Sequence, residues 1–389
     1  MPFENTSPSQ HNSATVQPLY ERVGSIDSLT SMRFFAALIV VIWHYFDPPN
    51  PESPLAKLIS AVAPWTHRGH LMVDFFFVLS GFVLTYVYFE SVRRQRFDIS
   101  EFYVKRFARI YPMHLLTFLA FVLIWLVASS INFASSEPLP LFHDALAHLM
   151  LIHAWGVSSR GTFNIPSWSV SAEWFAYLLF PLLVFAIARV RVAACVVTTV
   201  VMLICAATLA PLAGRELTHR TFDFGILRIL FEFPFGMAIC LVYLLINKGP
   251  WRWIYYLSLL VVIVCLSIDI PEVVTVIAFG VLILASAIAE HQGCTTLLKN
   301  RWLVYGGEIS FSIYMLHAVF WIPCVSVGLR ALSVARDSMT ADLIKCVTIV
   351  VLIVASHYSF EWIEKPAREI ILAAYRRRDR VGQVAKVDP

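Results

Sequence analysis

Charge is scarce in this 389-residue sequence: Asp, Glu, Lys and Arg make up 14% of it, against 58% hydrophobic residues. Ordinary soluble domains are about 25% charged and about 45–50% apolar, so a water-soluble globule could not hide this much apolar surface. With a mean hydropathy of +0.70, the chain reads as an integral membrane protein. A basic stripe is missing too. The 30 Lys plus Arg against 26 Asp plus Glu leave +4, scattered among apolar runs, which argues against nucleic acid as a partner. The 7 cysteines form no Cys-x-x-Cys pair, and Cys195, Cys205, Cys240, Cys265 and Cys324 lie inside apolar runs, so neither a disulfide framework nor a metal site is indicated. No Gly-x-Ser-x-Gly elbow, Walker loop or dinucleotide fingerprint is present, which removes the usual signatures of soluble hydrolases, ATPases and dehydrogenases. No internal repeat of the kind that marks many carriers is visible.

What is there is a series of long apolar runs. A membrane-crossing helix needs about 20 mainly apolar residues, and runs near 31–47, 70–89, 110–129, 167–188, 192–211, 224–246, 253–269, 271–289, 303–325 and 343–363 qualify. The expected fold is therefore all-α, a polytopic membrane bundle of about ten helices. A further apolar piece near 144–156, carrying His148 and His153, is too short to cross and suits a re-entrant or interfacial segment. If it does not cross, Lys plus Arg number 21 on the side of both termini and 8 on the other, with Arg228 inside a run completing the 30. The positive-inside rule then puts both termini in the cytoplasm. Residues 1–30, polar and rich in Ser, Pro, Asn and Gln, read as a disordered tail rather than a leader; residues 31–370 form one membrane domain, and 371–389 a basic tail.

Ionisable groups inside hydrocarbon cost about 2.5–3.5 kcal/mol each on insertion scales and mark candidate functional sites. Arg33 and His44 are eleven residues apart in the first run, about 20° from full turns, so they share a face about 16 Å apart. Depth arithmetic places His44, Asp74, Glu173 and His317 in one layer of the outer half, each alone explicable as a buried group satisfied by a neighbouring helix. Together they suggest an imidazole beside a carboxylate, the ordinary arrangement of a general base. The segment FYVKRFARIYP carries Lys105, Arg106 and Arg109 toward the cytoplasm, where guanidinium groups can bind phosphate or merely anchor to anionic lipid. Arg228 and Glu232, four apart, read as an internal ion pair. His67 and His70 lack a nearby third ligand and read as solvated.

These segments resemble the bacterial acyltransferase type 3 family, membrane enzymes that O-acylate surface polysaccharides, lipid-linked sugars and related acceptors. The matching pieces run in order: Arg33-FFAALIVVIW-His44, VDFFFVLSGFVL, FYVKRFARIYP, SWSVSAEWFAYLLFP, FEFPFGM, GEISFSIYMLH and IEKPAR. The phenylalanine at 311 stands where tyrosine is common, and the esterase-like domain that some members append is not expected. The resemblance implies an O-acyltransferase of the bacterial inner membrane. It would move an acyl group, most commonly acetyl, from cytoplasmic acyl-coenzyme A to a hydroxyl of a carbohydrate or glycolipid acceptor, with acyl-coenzyme A as co-substrate and no cofactor. It also implies His44 as the essential histidine, Arg33 as its partner, and Arg106 and Arg109 as donor-recognising arginines. Asp74 and Glu173 are implied to assist catalysis by orienting the imidazole, and His317 to contact substrate. Donor and acceptor are expected to meet in one cavity within the bundle. The rival reading is a transporter or flippase, since ten spans with polar groups at mid-depth also describe a carrier.

Overall fold

The computed structural model describes residues 24–130, 142–158, 160–214, 216–246, 249–294 and 297–384. It is 83% helical and has no strand among those residues. Ten long helices follow one another: α1 (Asp27–Phe46), α2 (Met72–Arg93), α3 (Ile99–Ser130), α4 (Trp168–Ile187) and α5 (Val192–Leu209). They continue with α6 (Ile226–Leu245), α7 (Trp251–Ser267), α8 (Glu272–His291), α9 (Ser310–Phe320) and α10 (Met339–Ser359). Nine of the passes are long and apolar enough to span a bilayer among the described residues, while α7 has 17 residues. The chain is a multi-pass membrane protein.

Several expected boundaries shift for physical reasons. The expected tail of residues 1–30 lies mostly outside the described residues, and α1 already begins at Asp27. No side chain of α1 caps its own start; instead the Glu290 carboxylate at the end of α8 accepts from the backbone N–H groups of Asp27 (3.0 Å) and Ser28 (2.8 Å). An acid there satisfies two orphan donors and the positive end of the helix dipole, which fixes the depth of every α1 residue, Arg33 and His44 included. The ninth pass is broken at Ile309 into Arg301–Glu308 and α9, and Gly307 meets α1 so closely that a Cβ there would lie 1.9 Å from the Thr30 carbonyl oxygen. Beyond Phe320, α9 widens into a π-turn at Trp321–Val327, containing Pro323, before a last helical turn to Ala331. Such bulges are frequent at functional sites. Helix α10 runs on through a π-turn at Phe360–Glu364 into Lys365–Val384, so much of the expected basic tail is helical.

The bundle is tightest where α2 crosses α6. A Cβ on Gly81 would lie 2.0 Å from the Phe233 carbonyl oxygen, and one on Gly236 1.9 Å from that of Val78. Small residues let helix backbones touch where apolar burial alone gives no drive in lipid. The piece around 144–156 does not make a long helix: Phe142–Leu149 and His153–Val157 are separated by Leu151 in the left-handed region (φ 58°). Its second part docks on α4, where the Ser171 hydroxyl donates to the Leu151 carbonyl (2.7 Å) and accepts from the Ala154 N–H (3.1 Å).

Candidate active site

Two cavities lie along α1, one toward each end. The near cavity, about 160 Å³, is lined by Arg33, Ser80, Arg106, Arg109, Glu173 and Tyr177 among others. Here Glu173 accepts from the hydroxyls of Ser80 (3.0 Å) and Tyr177 (2.5 Å). The Arg106 guanidinium lies over the rings of Tyr177 (5.8 Å) and Tyr88 (5.9 Å), and its buried Nε has no hydrogen-bond partner. Neither Arg33 nor Arg106 has an ion-pair partner among the described residues. Arg109 differs. It is bridged to Glu364 and lies 5.2 Å from the centroid of Phe311, and the same carboxylate accepts from Ser312 (2.9 Å). Glu364 is 1% exposed, so Arg109 is already neutralised, and the two guanidiniums without a direct ion pair are Arg33 and Arg106, which share the cavity with the Glu173 carboxylate, rather than the expected pair of Arg106 and Arg109.

The far cavity, about 500 Å³, is lined by His44, His317, Trp43, Trp321, Arg336 and Lys345 among others, with the π-turn of α9 forming one side. The His44 ring is exposed to it. Its Nδ1 lies 2.9 Å from the Val40 carbonyl, and a carbonyl can only accept, so the proton sits on Nδ1 and Nε2 carries a lone pair. Trp43 packs edge-on against the imidazole at 4.7 Å and His317 lies 4.8 Å away, centroid to centroid. Likewise, the Nδ1 of His317 donates to the Tyr314 carbonyl and its Nε2 is buried without a partner, while the Tyr45 hydroxyl holds the His317 carbonyl at 2.9 Å.

The two cavities share no lining residue, so the expected single cavity is divided in this structure. The wall between them includes Tyr314, whose side chain lines the near cavity and whose backbone carbonyl holds the far-cavity His317. The Tyr314 hydroxyl donates to the carbonyl of Pro166 (2.9 Å), a far-cavity residue, and accepts from Ser169 (2.9 Å), a near-cavity one.

The expected layer of four groups also divides. His44 and His317 meet in the far cavity, whereas Glu173 belongs to the near one. Asp74 reaches neither. Both its oxygens are held by Arg228, Nε to Oδ1 at 3.0 Å and Nη2 to Oδ2 at 2.6 Å, with the guanidinium 4.7 Å from the Trp168 ring centroid. The expectation that Asp74 or Glu173 orients His44 is therefore corrected: the backbone carbonyl of Val40 does so. The expected Arg228–Glu232 pair is corrected as well, since Arg228 takes Asp74 and both Glu232 oxygens are left without a partner. His70 is not solvated; its Nε2 lies 2.9 Å from Glu272, which also meets Arg68 (3.3 Å) and, at 3.9 Å, His219. Glu364 and Tyr314 are the residues the sequence reading passed over, although IEKPAR and GEISFSIYMLH contain them.

A family model described as an acyltransferase domain matches residues 26–360. The chain belongs to the acyltransferase type 3 family. Acyltransferase MdmB of Streptomyces mycarofaciens is 32% identical over 329 residues, 76% of this chain and 79% of that one. O-acetyltransferase OatA of Staphylococcus aureus is 27% identical over 169 residues, and peptidoglycan O-acetyltransferase OatA of Listeria monocytogenes 32% identical over 135. These matches cover 41% and 31% of this chain but 24% and 21% of the two relatives, so the likeness to OatA concerns only a part of those longer proteins. No solved structure matches. This acyltransferase is thus a membrane O-acyltransferase, with O-acetyltransferases among its relatives.

Proposed function

We propose that the enzyme takes its acyl group from acyl-coenzyme A at the near cavity and passes it to a sugar hydroxyl at the far one. The observation that carries this reading is the pair of guanidiniums without a direct ion pair, Arg33 and Arg106, two cations against the single carboxylate of Glu173, at one end of α1 and the lone-pair-bearing imidazole of His44 at the other. Guanidinium forks match phosphate oxygens, and a cation left unpaired in a cavity is stabilised by an arriving anion. With the near cavity facing the cytoplasm, as the positive-inside count indicates, the donor's phosphates sit against Arg33 and Arg106. Its thioester then advances along α1 past Tyr314, whose side chain swings aside to join the two chambers.

In the far cavity the Nε2 of His44 accepts the proton of the acceptor hydroxyl as its oxygen attacks the thioester carbonyl. The new C–O bond forms, the C–S bond breaks, and the departing thiolate takes the proton from the imidazolium, leaving free coenzyme A. His317, with its own Nε2 turned bare, lies beside the acceptor. Trp43 and Trp321 give the chamber aromatic faces and Lys345 and Arg336 give it donors, which suits a polyhydroxylated acceptor such as a surface glycan or lipid-linked sugar. A bacterial inner membrane offers both substrates on its opposite faces.

The test is steady-state transfer from labelled acyl-coenzyme A with the purified enzyme in nanodiscs. A charge-assisted hydrogen bond contributes about 1.5–3 kcal/mol, so Arg33→Gln and Arg106→Gln should each raise the donor KM about ten- to a hundredfold. The acceptor KM should stay within about twofold. Equal effects on both substrates would reject the assignment of the near cavity to the donor. Movement of substrate across the membrane without release of coenzyme A thiol would instead favour a carrier.

A further inference from the structure

A second cluster of histidines lies outside both cavities. His114 from the middle of α3, His148 from Phe142–Leu149 and His153 from the following π-turn are 1%, 2% and 3% exposed, and one ring nitrogen of each lies within 4.8 Å of the other two. Each ring is held by its Nε2. That of His114 lies 2.8 Å from the His148 carbonyl, that of His148 3.3 Å from the Thr162 hydroxyl, and that of His153 3.1 Å from the Ser167 hydroxyl. A carbonyl only accepts, and a hydroxyl accepts as readily as it donates, so all three rings can carry their proton on Nε2. The three Nδ1 atoms are then bare lone pairs, and all three are buried with no hydrogen-bond partner. Three buried ring nitrogens without a hydrogen-bond partner in one cluster are relieved only by a positive charge or a shared proton.

We propose that this triad binds a divalent first-row transition-metal ion, zinc by its chemistry. Imidazole donors select such ions, and calcium and magnesium, which take oxygen ligands, are disfavoured. The Nε2 contacts are the outer partners that fix tautomer and orientation in histidine metal sites. At zinc–nitrogen bonds of about 2.0–2.1 Å, tetrahedral geometry needs donor nitrogens about 3.3 Å apart. The rings are stacked, His148 on His153 at 3.8 Å and 7°, so coordination tilts them out of the stack and draws the nitrogens together, leaving the fourth position to water. The other histidine cluster offers no such charge vacancy: Glu272 beside His70 and His219 is already met by Arg68 at 3.3 Å. The ion would tie the piece 142–157 to α3 and, through Ser167, to the start of α4. Phe163, 5.1 Å from His148 and lining the far cavity, would make the site a brace for the wall of the acceptor chamber.

The full chain is purified in detergent through a tag without histidines, after growth with added zinc, and its metal is measured by inductively coupled plasma mass spectrometry. The expected result is about one zinc per chain, reduced at least tenfold in His148→Ala and in His153→Ala but unchanged in His70→Ala. Cobalt substituted into the wild type should give the visible spectrum of a tetrahedral site, and a chelator should lower the wild-type Tm. Metal-free wild type whose Tm ignores chelator and added zinc overturns the proposal. So does metal content that the His148 and His153 variants leave intact, or that His70→Ala removes. If the two variants do not fold, the cobalt spectrum and chelator response of the wild type decide alone.

Discussion

His44→Ala is expected to reduce acyl transfer about 10²–10⁴-fold, the usual worth of a general base, while leaving the protein folded. The reduction follows from the tautomer. With Nδ1 committed to Val40, the only nitrogen of His44 able to take a proton is Nε2, on a ring that is exposed to the far cavity. The ring touches Trp43 and His317 but is otherwise open to the cavity, so its removal enlarges an existing void rather than opening a new one, and the Tm should move by no more than about 1 kcal/mol of stability would move it. His44→Gln should be equally inactive, since an amide can hydrogen-bond but not accept the proton. The measurement is incorporation of labelled acyl group into acceptor by protein of verified Tm. Activity near wild type in a folded His44→Ala protein would remove the imidazole from the mechanism.

Asp74→Ala is expected to act in the opposite way, on folding rather than chemistry. Asp74 and Arg228 are 0% and 2% exposed and joined by two hydrogen bonds, so deleting the carboxylate strands a buried guanidinium. Breaking such a pair costs about 3–5 kcal/mol, a large share of a typical total stability of about 5–15 kcal/mol. Arg228→Ala should be comparably damaging. Replacing both partners with apolar side chains of similar volume, Asp74→Leu with Arg228→Met, should recover part of the lost stability, and adding Glu232→Gln, which removes the buried acid beside them, should recover more. Thermal unfolding followed by size-exclusion chromatography reads the outcome. An Asp74→Ala protein with wild-type Tm and a selective loss of kcat would show that the carboxylate serves the reaction instead.

Much of the bundle was legible because the bilayer imposes a simple rule: runs of about 20 apolar residues must become helices. The face shared by Arg33 and His44 was legible too, since eleven residues bring a helix nearly back to the same direction. What the sequence could not supply was partnership between helices. Depth alone put Asp74 in the layer of His44, yet an aspartate and an arginine 154 positions apart find each other because neither tolerates burial unpaired. The near neighbour Glu232, an attractive partner by helical spacing, is passed over for the same reason of geometry. Arg109 looked interchangeable with Arg106 until Glu364, 255 positions away, was seen to neutralise it. The histidine triad was invisible for want of a spacing signature, since His114 and His148 come from separate elements.

The proposed mechanism separates its two substrates, with the donor at the Arg33 end of α1, the acceptor at the His44 end and Tyr314 between. Sealed vesicles of known enzyme orientation test it most directly, with acyl-coenzyme A supplied on one side only and acceptor on the other. Free thiol and acylated acceptor should appear together when the donor faces the Arg106 end, and neither should appear when the two substrates are exchanged. Equal turnover in both arrangements would contradict the account.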